Sequence, residues 1–195
     1  MPDRHSILLL LSLVLITCLL GGCTAMMIGG AAAGAVTAHD RRTIGTFIED
    51  KEIQIKALRI LHSDEEFQQL SNIAITVYNL QVLLTDQAAN AEIVTRFADK
   101  VARIPRVRKV YNEVNIGAEN TWSDAATDAY LTSQVKLALF NVGIEGFDPL
   151  RVKVTSSNGT VYLMGLLTPD EADAVTEKVR FVSGVRTVVK LFEYI

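Results

Sequence analysis

A repeat constrains what this 195-residue chain can fold into more than any other feature of it. At an offset of 78, Ile53, Ala57 and Leu61 match Leu131, Val135 and Leu139, and their four-residue spacing puts each set on one face of a helix. At an offset of 79, Ile73-Ala74-Ile75-Thr76 matches Val152-Lys153-Val154-Thr155, and Val82-Leu83-Leu84 matches Val161-Tyr162-Leu163. Each pair of runs is rich in β-type residues and flanks a short turn, which in the second copy is Asn158-Gly159, a strong hairpin signal. Back at an offset of 78, Val94, Phe97, Val101 and Ile104 match Ala172, Val175, Val179 and Val182, again one helical face. This second helix opens after Asn90 in copy one. In copy two it opens at Thr168-Pro169-Asp170-Glu171, a capping threonine followed by proline and an acidic first turn. Val107 and Val110 match Val185 and Val188, where a last strand begins. The sequence therefore predicts an α+β fold of two tandem αββαβ domains over 43–116 and 121–195, each a three-stranded mixed sheet packed against two helices.

Ahead of the repeat stands a different kind of segment. A short stretch with Arg4 precedes an apolar run from Ile7 to Leu20, the pattern of a signal peptide's hydrophobic region and too short for a comfortable transmembrane helix. The run ends in Leu20-Gly21-Gly22-Cys23, which resembles the lipobox of bacterial lipoproteins. That resemblance implies a signal peptide over residues 1–22, diacylglycerol on the Cys23 sulfur and an acyl chain such as palmitate on its new amino group. Three acyl chains, at roughly 0.8 kcal/mol per buried methylene, make such an anchor effectively permanent. Thr24 follows the cysteine where an aspartate would imply retention in the inner membrane, so the sorting pattern implies the outer membrane, periplasmic side. From Thr24 to Val36 small residues dominate, and 23–42 reads as a lipid-anchored flexible tether.

Cleavage leaves about 170 residues, room for one ordinary domain or two small ones. The net charge of −3 is unchanged by it, because Asp3 and Arg4 leave together, and that near balance gives no reason to expect a nucleic-acid partner. If the lipobox resemblance holds, Cys18 leaves with the signal and Cys23 would be lipidated, so no disulfide is expected within one chain and the fold is expected to rest on its apolar core.

The αββαβ repeat resembles the BON domain, and two copies behind a lipobox resemble dual-BON outer-membrane lipoproteins. The matching features span nearly the whole mature chain. They are Asp40 to Gly45, Tyr78-Asn79 in the first hairpin, Val110-Tyr111-Asn112-Glu113 in the strand that closes copy one, and Val152 through Asn158-Gly159 to Leu163-Met164-Gly165. Copy one departs from the pattern, with Leu80, Asp86 and Arg106 where copy two has glycine at or near the equivalent places, so altered turns are expected in the first domain.

Catalytic chemistry finds little material. His5 is cleaved, His39 sits in the tether, and His62 stands alone at the end of a helix, more simply a surface residue than a ligand. No His, Cys, Asp and Glu cluster has metal-ligand spacing, Asp64-Glu65-Glu66 reads as a solvated loop, and no Gly-rich phosphate loop opens a helix after a strand. A non-enzymatic protein is expected, with no metal, no small-molecule substrate and no cofactor beyond the lipid on Cys23.

Two surface features are candidates for binding. Lys100, Arg103, Arg106, Arg108 and Lys109 put five positive charges into ten residues, suited to lipid phosphates or simply to a helix C-terminus and a solvated face. The other is the first helix of copy two, which Thr121 can cap with Asp124 three residues on. Opposite its core face of Leu131, Val135, Ala138 and Leu139 fall Trp122, Ala126, Ala129, Tyr130, Ser133, Leu137 and Phe140, a face without charge. The equivalent stripe of copy one, Ile48, Lys51, Glu52, Ile55, Arg59 and His62, is mixed and charged. The uncharged face either buries against the other domain or binds a membrane or partner, since Trp and Tyr favour membrane interfaces.

The site expected for a membrane is Trp122, Ala126, Tyr130, Ser133, Leu137 and Phe140. The family resemblance implies anionic phospholipid as the ligand and a role in outer-membrane integrity. The alternative expectation is an envelope adaptor that binds protein partners, such as outer-membrane assembly machinery, through the same face.

Overall fold

A computed structural model describes residues 40–117 and 122–195. The expected signal peptide, Cys23, the expected tether up to residue 39 and the expected cap Thr121 lie outside the described residues. The first domain runs α1 (Ile44–Ser63), α2 (Glu65–Leu70), β1 (Ser71–Tyr78), β2 (Gln81–Ala88), α3 (Ala91–Ala102), β3 (Lys109–Asn112) and β4 (Asn115–Ile116). The second runs α4 (Trp122–Leu139), a 3-10 turn at Pro149–Arg151, β5 (Val152–Ser157), β6 (Thr160–Leu167), α5 (Pro169–Val179) and β7 (Thr187–Tyr194). In each, an antiparallel hairpin is followed by a helical crossover to a parallel third strand, giving the orders β1-β2-β3 and β5-β6-β7. The short β4 extends the first sheet to four strands by pairing with β2 beyond a break at Glu113 and Val114.

The caps follow the sequence. Asn90 accepts from the Ile93 amide at 3.0 Å, and Thr168 forms a full capping box with Glu171. Asp64-Glu65-Glu66, expected as a loop, instead opens α2: Asp64 caps it by accepting from the Glu66 amide, the two glutamates fill its first turn, and Phe67 plugs the core. Phe67 meets Phe97 of α3 edge to face at 5.4 Å between ring centres, which gives this short helix the burial it needs to persist.

Each domain has its own core between helices and sheet, built on Ile53, Ala57, Leu84 and Phe97 in the first and on Leu131, Val135, Leu163 and Val175 in the second. The central strands are buried on both faces. Val82 and Leu84 point at the first core and Val161 and Leu163 at the second, while Leu83, Tyr162 and Met164 point the other way, into a third cluster with Tyr78 and Leu191. That third cluster joins the domains sheet to sheet. Beside it one pair of repeat counterparts meets, Thr76 bonding Thr155 hydroxyl to hydroxyl at 3.2 Å. Burial, with Glu113 and Asp86 adding to it, pushes the Tyr162 phenol up to about 12.

Asp40, Arg41 and Arg42, placed in the tether by the sequence, are held instead by ion pairs. Arg41 forks onto the buried Glu171 of α5 at 2.6 and 2.9 Å and donates to the Leu166 carbonyl, so it straps the chain entering the first domain to the second. Arg42 pairs with Asp40 and Asp50 at 2.6 Å and stacks 3.9 Å over the Tyr78 ring.

The hairpin turns are less altered than the missing glycines imply. Asn79 and Leu80 adopt φ of 50° and 65°, close to the 49° and 70° of Asn158 and Gly159, and Arg106 takes the left-handed place of Gly184. Leu80 is held there because the buried Asp50 of α1 accepts the Asn79 and Leu80 amides at 2.8 and 2.7 Å. Only Asp86 differs in kind: it has φ 73°, whereas Gly165 keeps an ordinary φ and is required because a Cβ there would lie 2.9 Å from the Arg151 carbonyl oxygen.

Candidate functional site

Helix α4 is fastened to its domain on one side only. Leu131, Val135 and Leu139 are buried in the second core, with Ala138 half-buried beside them. One turn earlier, Asp128 accepts the Asn158 and Gly159 amides at 3.0 and 3.4 Å, the counterpart of the Asp50 clamp. Both aspartates were missed by sequence reasoning, although the offset of 78 that aligns the core residues also aligns Asp50 with Asp128. A polar residue on an apolar helical face was the available signal.

The opposite side of α4 is open. Ala126, Ala129 and Ser133 are exposed, and Tyr130, Leu137 and Phe140 are 65%, 60% and 68% exposed. The Ser133 hydroxyl donates to the Tyr130 carbonyl at 2.7 Å, so the hydroxyl turns back on its own helix. Trp122 begins the helix, and its side chain lies outside the described residues. The first domain covers none of the described members of this face, because the domains meet through their sheets. Among the described residues no helix is long and apolar enough to cross a membrane.

The basic cluster of the first domain is largely neutralised. Lys100 reaches Asp64 at 3.3 Å, Arg106 pairs with Glu49, and Arg108 pairs with Glu193 of the second domain. Lys109 lies over the Tyr111 ring at 4.4 Å, and Arg103 closes α3 through its backbone. His62 is exposed at the end of α1, and among the described residues no three His, Cys, Asp or Glu side chains stand close enough to hold a metal ion.

The BON domain model matches residues 49–118 and again 127–195, the two αββαβ units described above. This chain belongs to the BON family. It is 33% identical to the outer membrane lipoprotein DolP of Haemophilus influenzae over 180 residues, 92% of each chain. It is 30% identical to the 21 kDa hemolysin of Actinobacillus pleuropneumoniae, over 80% of this chain and 79% of that one. CdsD, a structural protein of the type III secretion system of Chlamydia trachomatis, is 16% identical in a solved structure, over 70% of this chain and 92% of that one, at a TM-score of 0.30. The outer-membrane location read from the lipobox agrees with the name of the Haemophilus relative.

Proposed function

We propose that this outer-membrane lipoprotein acts without catalysis, docking on anionic phospholipid through the outer face of α4 and so supporting the integrity of the envelope. One observation carries the reading. A helix face without charge, bearing Tyr130, Leu137 and Phe140, is left to solvent by a fold that joins its domains elsewhere. Exposed apolar surface of that kind is costly to keep unless something covers it. A membrane interface suits it, because each such side chain gains on the order of 1.5–3 kcal/mol when fully buried, and the Tyr130 hydroxyl stays wet at headgroup depth.

The test uses the mature chain with Cys23→Ser, which has no acyl anchor, in co-sedimentation with phosphatidylglycerol vesicles. Tyr130→Glu with Leu137→Glu removes the apolar gain and opposes an anionic surface, so binding is expected to fall by well over tenfold. Circular dichroism is expected to stay native, since neither residue faces the core. A folded double variant that binds like the parent overturns the proposal. Parent protein that ignores vesicles but captures a purified envelope protein through this face would favour the adaptor reading.

A further inference from the structure

The sequence drew attention to the basic cluster around α3, yet the structure assembles a second one from residues far apart in the chain. Lys136 of α4 and Lys153 of β5 line a pocket of about 260 Å³ together with Arg42, Tyr78, Phe140 and Leu150. That is below the roughly 300–1,000 Å³ of a site for a whole drug-sized ligand, and suits a small polar group. Arg42 is already committed to Asp40 and Asp50. The lysines are not: neither Lys136 nor Lys153 has a carboxylate within ion-pair distance among the described residues. Lys51 of α1, close enough to act on Lys153, reaches the Gln54 amide oxygen at 3.5 Å and the Phe47 ring face at 5.8 Å, and meets no carboxylate within ion-pair distance among the described residues. Lys153 stays solvent-accessible, yet partial desolvation beside the pocket, and then the like charges of Lys51, Lys136 and Arg42, hold its ammonium below the ordinary lysine range. Like charges gathered without a counter-charge are relieved by an anion. Phe140 belongs both to this pocket and to the open face of α4, so an anion seated here would lie at the edge of the apolar surface.

We propose that this pocket seats the phosphate of an anionic phospholipid headgroup, held by Lys136 and Lys153 of the second domain with Lys51 of the first beside them. The inference rests on docking through α4 and adds that the site is composite, its charge coming from both domains while its apolar surface comes from one. A phosphodiester at the membrane surface and free inorganic phosphate share the chemistry that would fill the pocket. The lipid is the occupant to which Phe140 and Leu150 commit it, because free phosphate has no use for apolar side chains at the rim.

The experiment again uses the mature Cys23→Ser chain, with vesicles of phosphatidylcholine alone or mixed with phosphatidylglycerol. Lys136→Gln with Lys153→Gln is expected to weaken binding to the anionic vesicles about tenfold and to leave binding to the neutral ones unchanged; adding Lys51→Gln is expected to deepen the loss. A control, Lys100→Gln with Lys109→Gln, removes the same charge from the other basic cluster and is expected to cost threefold or less. Equal losses in the two pairs would mean diffuse attraction and would overturn the pocket, as would an unchanged Lys136/Lys153 variant. Inorganic phosphate that shifts the Lys153 amide resonance, with vesicle binding indifferent to the lysines, would overturn the lipid as occupant. If the parent binds no vesicles, the docking reading itself has failed, whereas binding that survives every lysine change leaves docking standing without this pocket.

Discussion

Helices α1 and α4 hold equivalent places, and their inward faces are nearly interchangeable: Asp50, Ile53, Ala57 and Leu61 against Asp128, Leu131, Val135 and Leu139. Their outward faces differ, though less simply than the sequence implies. Helix α1 also leaves large apolar side chains in solvent, Ile48 at 60% and Ile55 at 56%, nearly as open as those of α4. What separates the two is the company these residues keep. On α1 they alternate with Lys51, Glu52 and Lys56, and the last two form an ion pair. Sinking that face into a membrane would strip water from charges, whereas sinking the outer face of α4 would not. Counting exposed apolar residues makes the helices alike, and asking what else must be desolvated makes them different.

The clamps under these helices offer the largest test of the comparison. Asp50 holds two turn amides and Arg42, and it keeps Leu80 in a left-handed conformation; Asp128 holds its two amides at longer range beside a glycine. Asp50→Ala is expected to cost about 3 kcal/mol in chemical denaturation, since it strands buried amides and half-strips an arginine. Asp128→Ala is expected to cost about 1 kcal/mol. Equal costs would mean that the two clamps do the same work and that Leu80 is under no strain.

Vesicle binding sharpens the contrast of the outer faces. Serine leaves charge unaltered, so Tyr130→Ser with Leu137→Ser isolates the apolar contribution and is expected to cost about tenfold. Ile48→Ser with Ile55→Ser is expected to cost less than threefold. A similar loss from both pairs would make α1 a second docking face.

The smallest effect concerns Asp86, whose counterpart is Gly165. Burial, with help from the Asp128 carboxylate and against the pull of Ser157, holds its carboxyl above the ordinary aspartate range. An acid whose pKa is raised by folding favours the fold below its unfolded pKa and loses that contribution as pH rises through the folded value. Asp86→Asn is therefore expected to raise the melting midpoint by a few degrees at pH 7 and to leave it unchanged near pH 3. A shift of equal size at both pH values would assign the effect to packing.

Much of the fold was legible because it rests on local periodicity. The offset of 78 to 79 places both hairpins, the helices and the caps of α3 and α5, and it does so because helical and strand spacings are properties of neighbouring residues. The interface between the domains was also present in outline, in the unbroken apolar runs Val82-Leu83-Leu84 and Val161-Tyr162-Leu163-Met164. A strand buried on one face alternates; a strand buried on both does not. The α2 helix was not legible, since six residues carry too little periodicity and the helix depends on the seat that Phe97 gives Phe67.

By itself, then, the sequence determined two αββαβ units, the caps of α3 and α5 and the uncharged stripe of α4, all set by short-range spacing. Only the tertiary structure decided which surfaces remained open. It closed the sheets on each other and left α4 free. It spent Arg106 and Arg108 on Glu49 and Glu193, which lie 57 and 85 residues away in the chain. It also brought Lys136 and Lys153 from two separate elements to one anion-sized space, with Lys51 near enough to act on Lys153. Charges act through distance in space, and a chain of letters records only distance along the backbone.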